Sequence, residues 1–169
     1  MITARIIDRP AFEVIGKQTW IGGQDNDAFG RFWQQCHADG TIAKLQRISG
    51  MRPGEQTGGM VIGVSRVEAD PTNREFYFLI GVEAPRGDLD AAAEGFERCV
   101  IPASRWAVFD GSGEMPMSLV RAEMYAFMEW LPGSGYTHAA APEMEVYPAG
   151  ESAPGEMKCE FWLPVVEQG

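Results

Sequence analysis

The chain is poor in the residues that announce covalent or metal chemistry. Its three cysteines, Cys36, Cys99 and Cys159, are widely spaced and odd in number, which excludes a disulfide framework and leaves buried structural thiols as the expectation. Its two histidines, His37 and His138, fall into no HxH, HExxH or CxxC spacing, so neither a metal nor a cofactor is expected. No serine sits in a G-x-S-x-G context. The glycine- and proline-rich loop 49–60 lacks the Lys-Ser/Thr pair of a phosphate loop, which argues against nucleotide chemistry. Long apolar runs are also missing: Phe78-Leu79-Ile80 and Phe161-Trp162-Leu163 are far too short to cross a bilayer. Asp8 and Arg9 interrupt the first apolar stretch before it reaches signal-peptide length, so a cytoplasmic location is expected.

Basic residues are scarce as well. Fourteen Lys and Arg face 24 Asp and Glu, a formal net charge of −10. A surface of this sign repels phosphates, and no basic cluster interrupts it, so direct nucleic-acid binding is not expected. An acidic surface instead concentrates cations, besides keeping a protein soluble. What remains is an ordinary globular composition, 45 % hydrophobic and 22 % charged over 169 residues, which suits one domain spanning 1–169.

That domain repeats itself. Arg9-Pro10-Ala11-Phe12-Glu13-Val14-Ile15-Gly16 is echoed by Ile101-Pro102-Ala103-Ser104-Arg105-Trp106-Ala107-Val108. Each opens a β-type run that ends in glycine-rich punctuation, Ile21-Gly22-Gly23 and Gly111-Ser112-Gly113. A helix follows in each half. In the first, Phe29, Phe32, Trp33 and Cys36 recur at helical spacing behind Asp25 or Asp27 as N-cap. In the second, Leu119, Val120, Met124, Phe127 and Met128 form a stripe that Pro132 ends. Two strand-like runs close each half: Met60–Val64 and Glu75–Val82, then Met144–Tyr147 and Cys159–Val165. The expectation is an α+β fold of tandem β-α-β-β modules, about 3–85 and 95–167, related by a pseudo-twofold axis. Their antiparallel sheet would carry two main helices with a central ligand cleft between them.

Four segments in order, Ile101-Pro102-Ala103, Glu129-Trp130-Leu131-Pro132 running into Ser134-Gly135-Tyr136, Glu145-Val146-Tyr147-Pro148, and Phe161-Trp162-Leu163-Pro164-Val165, resemble the GyrI-like family. That family includes AraC-type effector-binding domains and the BmrR-type multidrug-binding domain. The resemblance implies a pocket between two modules, in which an acidic residue among aromatics receives a lipophilic cation; the glutamate of the E-x-Y motif falls on Glu145. It also implies two other activities found among members: hydrolysis of strained cyclopropane-bearing compounds through a pocket glutamate, and gyrase inhibition through a protein partner. No helix-turn-helix is expected in these residues, so a self-contained transcription regulator is not.

Alternation along an extended strand puts Glu143, Glu145 and Tyr147 on one face. Glu145 is then expected in the pocket and Glu143 nearer its rim. Burial would raise the pKa of Glu145 unless a cation or a hydrogen bond from Tyr147 offset it. Aromatic faces add cation attraction. Trp33, Phe78 and Trp162 are the first ligand-binding candidates, with Trp106, Trp130 and Tyr136 next. In a hydrolase, Glu145 would be the general base, with Tyr147 or Tyr136 polarising the substrate. The expected partner is a lipophilic or cationic small molecule, with a protein partner as the alternative; no membrane is expected.

Overall fold

The computed structural model describes residues 2–23, 25, 27–84, 95–111, 113–148 and 158–168. Ser112 of the second predicted turn and residue 85 of the first repeat lie outside these. Among these residues, runs rich in β-branched and aromatic side chains form nine strands of one antiparallel sheet. They are β1 (Thr3–Arg9), β2 (Phe12–Ile21), β3 (Gly59–Arg66), β4 (Phe76–Glu83), β5 (Glu97–Ile101), β6 (Ser104–Gly111), β7 (Tyr136–His138), β8 (Glu143–Pro148) and β9 (Cys159–Glu167). The main order is β1-β6-β9-β8-β3-β4-β2-β5, with β7 beside β9. Read outward from the central β3–β8 pair, the order is a palindrome: β4 answers β9, and β2 answers β6.

The palindrome ends in an exchange. β1 leads into β2, yet pairs with β6 of the other half, while β5 leads into β6 and pairs with β2. One register runs through both ladders, from Thr3 opposite Asp110 to Gly16 opposite Glu97. The two Pro-Ala dipeptides noted as a repeat therefore lie opposite one another at the corner, where proline cannot donate to a ladder. The result is a sheet curled into a half-barrel.

Parity along each strand then divides the side chains. Val14, Ile62, Val64, Leu79, Trp106, Val108, Met144, Val146 and Trp162 fill the inside of the curl. The opposite face of the first half, including Ile15, Phe76, Phe78 and Ile80, is covered by α1 (Ala28–Ala38) and α2 (Thr41–Ile48). That of the second half, including Phe109, Phe161 and Leu163, is covered by α3 (Met117–Met124). Among the described residues there are three α-helices where two main ones were expected, because the first helical run is broken at Asp39–Gly40 and resumes through Ile42 and Leu45. Asp27 takes the N-cap position of α1, without a side-chain capping bond.

α3 departs from its predicted stripe. Its buried face is Ser118, Leu119, Ala122 and, beyond its end, Ala126, whereas Val120, Met124 and Met128 are exposed. Small residues let the helix approach the sheet. The chain continues as a π-helical segment (Tyr125–Trp130) and a 3₁₀ turn (Leu131–Gly133), which changes the turn spacing on which the stripe was counted. Loop 49–60 is anchored by Glu83, whose carboxylate accepts from the backbone N–H groups of Gln56 and Thr57 and from the Thr57 hydroxyl.

The Gly16–Gly81 pair of β2 and β4 leaves no room for a side chain on either strand. A Cβ on Gly81 would stand 2.2 Å from the Ile15 carbonyl oxygen. Gly81→Ala is therefore expected to cost about 3 kcal/mol through forced separation of the strands. Urea unfolding checks this, and an unchanged midpoint would show that the strands can part freely.

Candidate functional site

At the centre of the sheet, β3 and β8 lie between the α1/α2 layer and α3, and the gap above them is a cleft of about 510 Å³. Its apolar lining is largely aromatic and aliphatic: Phe29 from α1, Phe76 and Phe78 from β4, Leu119 from α3 and Phe161 from β9. Strand alternation delivers Glu143 and Glu145 to the same cleft from β8, as expected.

Glu145 is buried, with 9 % of its surface exposed. One carboxylate oxygen accepts from Trp33 Nε1 at 3.0 Å and the other from the Tyr147 hydroxyl at 3.0 Å. Both donors are neutral, and no cationic side chain pairs with Glu145 among the described residues. Trp33 stands edge-on to Tyr147 at 5.4 Å, so the carboxylate sits in a collar of two aromatic donors. Burial pushes its pKa up to about 7, against the opposing effect of the Trp33 and Tyr147 bonds. Tyr147 is likewise driven above its ordinary value, by burial first and then by the negative charge of Glu145. Space for the carboxylate comes from Gly63 on β3, opposite Glu145 in register. A Cβ there would fall 2.4 Å from Glu145 Oε1 and 2.7 Å from the Phe78 ring.

Glu143 has the opposite surroundings. Arg74, from the β3–β4 connection, donates to both of its oxygens at 3.0 Å, and His138 Nε2 lies 2.8 Å from Oε2. Burial raises its pKa, but the bonds from His138 and Arg74 outweigh burial and hold the carboxylate below its usual range. Arg74 also lies over the rings of Phe76 and Phe127, 5.4 and 5.7 Å from their centroids. Glu143 was expected nearer the rim; with 3 % of its surface exposed it is instead a buried tie between the halves.

The whole-chain comparisons agree with this architecture. Residues 3–166 match the GyrI-like small molecule binding domain. The chain belongs to the GyrI-like family. Among curated relatives, this GyrI-like chain is 28 % identical to the transcriptional regulator BrlR of Pseudomonas aeruginosa over 144 residues, 85 % of this chain and 47 % of that protein. It is 36 % identical to a DNA gyrase inhibitor of Erwinia billingiae over 84 residues, 46 % of this chain and 50 % of the relative. The chain thus spans about half the length of the curated relatives it matches. Among solved structures, SAV2435 bound to tetraphenylphosphonium superposes with a TM-score of 0.79 at 21 % identity, covering 97 % of this chain and 94 % of the other.

Within this GyrI-like domain the predicted ligand residues separate into two groups. Glu145 and Phe78 line the cleft, while Trp33 and Tyr147 hold the Glu145 carboxylate from outside that lining and meet each other edge-on. Trp162 and Trp106 do not reach it: both are fully buried inside the curl, 5.7 Å apart edge to face. The parity of β9 gives its neighbour Phe161 to the cleft in place of Trp162. Trp130 and Tyr136 stack on one another at 5.9 Å in the second-half core, where Trp130 also meets Phe109, and neither lines the cleft. The three cysteines are free and buried. No described helix is long and apolar enough to cross a membrane.

Sequence reasoning missed Phe29, Phe76, Arg74 and, most consequentially, Glu123 on α3. Glu123 lines the cleft from the helical side. Burial, followed by the negative charges of Glu145 and Glu143, pushes its pKa up to about 8, and Arg74 opposes this. The available signal was an acid four residues after buried Leu119 and next to buried Ala122, on the face a helix turns inward.

A carboxyl group whose pKa is raised in the fold favours the folded state while protonated. The contribution of Glu145 is complete below its ordinary value of 4.5 and is lost as pH rises through about 7. Glu145→Gln, neutral throughout, should therefore be more stable than wild type by up to about 3 kcal/mol near pH 8, and by much less near pH 5. Urea unfolding at the two pH values checks this; equal stability at both would mean that the carboxylate is solvated in the fold.

Proposed function

We propose that the cleft binds lipophilic organic cations, with Glu145 as the counter-ion that the protein itself leaves without one. The observation that carries the reading is the contrast within β8. Glu143 is saturated by Arg74 and His138, whereas Glu145, also buried, has only the neutral donors Trp33 and Tyr147. A buried carboxylate in that condition gains most from an incoming positive charge, which the walls of Phe29, Phe76, Phe78 and Phe161 would also attract. Tetraphenylphosphonium bound to a neighbour of the same fold supports this choice of ligand class. The cation pairs with the ionised form, so binding releases a proton from Glu145 when the pH is below about 7.

Titration with tetraphenylphosphonium, followed by tryptophan fluorescence, tests the reading. Affinity should rise with pH between about 6 and 8. Glu145→Gln should lower it about tenfold or more, about 1.4 kcal/mol. An affinity indifferent to both pH and Glu145 would refute it.

A second reading draws on the same group. A carboxylate near pKa 7 is well matched to general-base work at neutral pH, and the Tyr147 hydroxyl beside it supplies a polarising donor. This is the hydrolase alternative, directed at cyclopropane-bearing or similar electrophiles. Glu145-dependent appearance of a water-added product in a mass spectrum would favour it; recovery of intact compound throughout would leave the binding reading alone.

A further inference from the structure

Glu145 is not the only carboxylate in the cleft without a cation. Among the described residues, five acids line it, Asp25, Asp27, Glu123, Glu143 and Glu145, against two arginines, Arg31 and Arg74. Arg31 is engaged by Asp25 and Arg74 by Glu143. Asp27 stands at the N-terminus of α1, where a helix end favours negative charge. That leaves Glu145 on the sheet and Glu123 on α3, both lining the one cavity. Glu123 is mostly buried and has no hydrogen-bond or ion-pair partner among the described residues.

Two carboxylates facing one apolar space cannot both ionise cheaply. A ligand with a single positive centre relieves one of them and leaves the other protonated or repelled. A ligand with two centres relieves both. An inorganic divalent ion would need more ligands than this pair supplies, and no group of three metal-ligating side chains occurs among the described residues. The aromatic lining suits organic cations instead.

We propose that Glu123 is a second anionic anchor and that the cleft selects aromatic compounds carrying two cationic centres over those carrying one. The inference rests on the cation-binding reading of Glu145 and extends it to the ligand's charge count. Preference for two charges should grow with pH as Glu123 ionises, since burial holds it up at about 8. The charged and titratable groups around Glu123 are Glu145, Glu143 and Tyr147 on β8, Cys159 on β9, Arg74 on the β3–β4 connection, and Asp25, Asp27 and Arg31 at the start of α1. Arg74 and Arg31 are held more firmly in their charged forms, and Asp25 and Glu143 are held below their ordinary values by their partners, so the change with pH comes from Glu123 and Glu145.

The test compares benzyltrimethylammonium with p-xylylenebis(trimethylammonium), which share one aromatic ring and differ by one cationic group. Affinities are measured by tryptophan quenching at constant ionic strength, near pH 6.5 and near pH 9. For wild type, the bis-cation should bind about tenfold more tightly near pH 9, with a smaller ratio near pH 6.5. In Glu123→Gln, a near-isosteric change, the ratio should fall towards about two, the statistical value for two equivalent ends. Continued binding of the monocation shows that the variant is folded. A wild-type ratio of about two, or one that Glu123→Gln leaves unchanged, overturns the inference while leaving the role of Glu145 intact if Glu145→Gln still weakens the monocation. Failure of wild type to bind either compound while it still binds tetraphenylphosphonium would overturn this inference alone, whereas failure to bind all three would remove both readings together.

Discussion

A carboxylate buried without a countercharge makes demands on everything around it. Glu145 can be held in the core only if donors reach both of its oxygens, and the two that do, Trp33 and Tyr147, come from different halves of the chain. Trp33 is carried by α1, so that helix has to lie where its indole N–H meets β8. The space for the carboxylate depends in turn on a strand position without a side chain, Gly63. Helix placement, strand register and residue size at the centre of the sheet all follow from accommodating one acidic group.

Glu143 shows how much the surroundings decide. It lies on the same strand and the same face, two residues away, and is buried even more completely. Its bidentate contact with Arg74 and its contact with His138 turn it into a structural clasp between the β3–β4 connection and the second half. Such a clasp is poorly placed to accept a ligand, because an incoming cation would have to displace Arg74 from a site where its guanidinium also stacks on Phe76 and Phe127. Identical side chains thus take different surroundings, one tied by Arg74 and His138, the other held by the neutral donors Trp33 and Tyr147.

Much of this was legible in the residues. The two modules, their four closing strands and the shared face of Glu143, Glu145 and Tyr147 follow from period-two alternation and from repetition, both of which are local properties. Errors arose where a decision depended on distant partners. Phe161 and Trp162 are adjacent and equally apolar, and only the pairing of β9 with β6 and β8 decides which faces the helices. The π-helical turn after α3 upset a stripe counted at ordinary helical spacing. Glu123 looks like any helix-surface acid until the sheet opposite it is known to carry two more. α2 is hard to read from sequence because its apolar spacing, Ile42 and Leu45, is short and runs straight into the glycine-rich loop 49–60.

The exchange of β1 and β5 has a consequence for the origin and the divisibility of the fold. Each module borrows its outermost strand from the other, so a single module is unfinished, with an open edge on β2 or β6 and a spare strand of its own at its N-terminus. Two identical copies of an ancestral module would have completed one another in the same way, as a strand-swapped homodimer with its ligand space on the twofold axis. Fusion of two such genes would then free the halves to diverge, allowing one axis-related position to become the acid Glu145 while its counterpart became the void of Gly63.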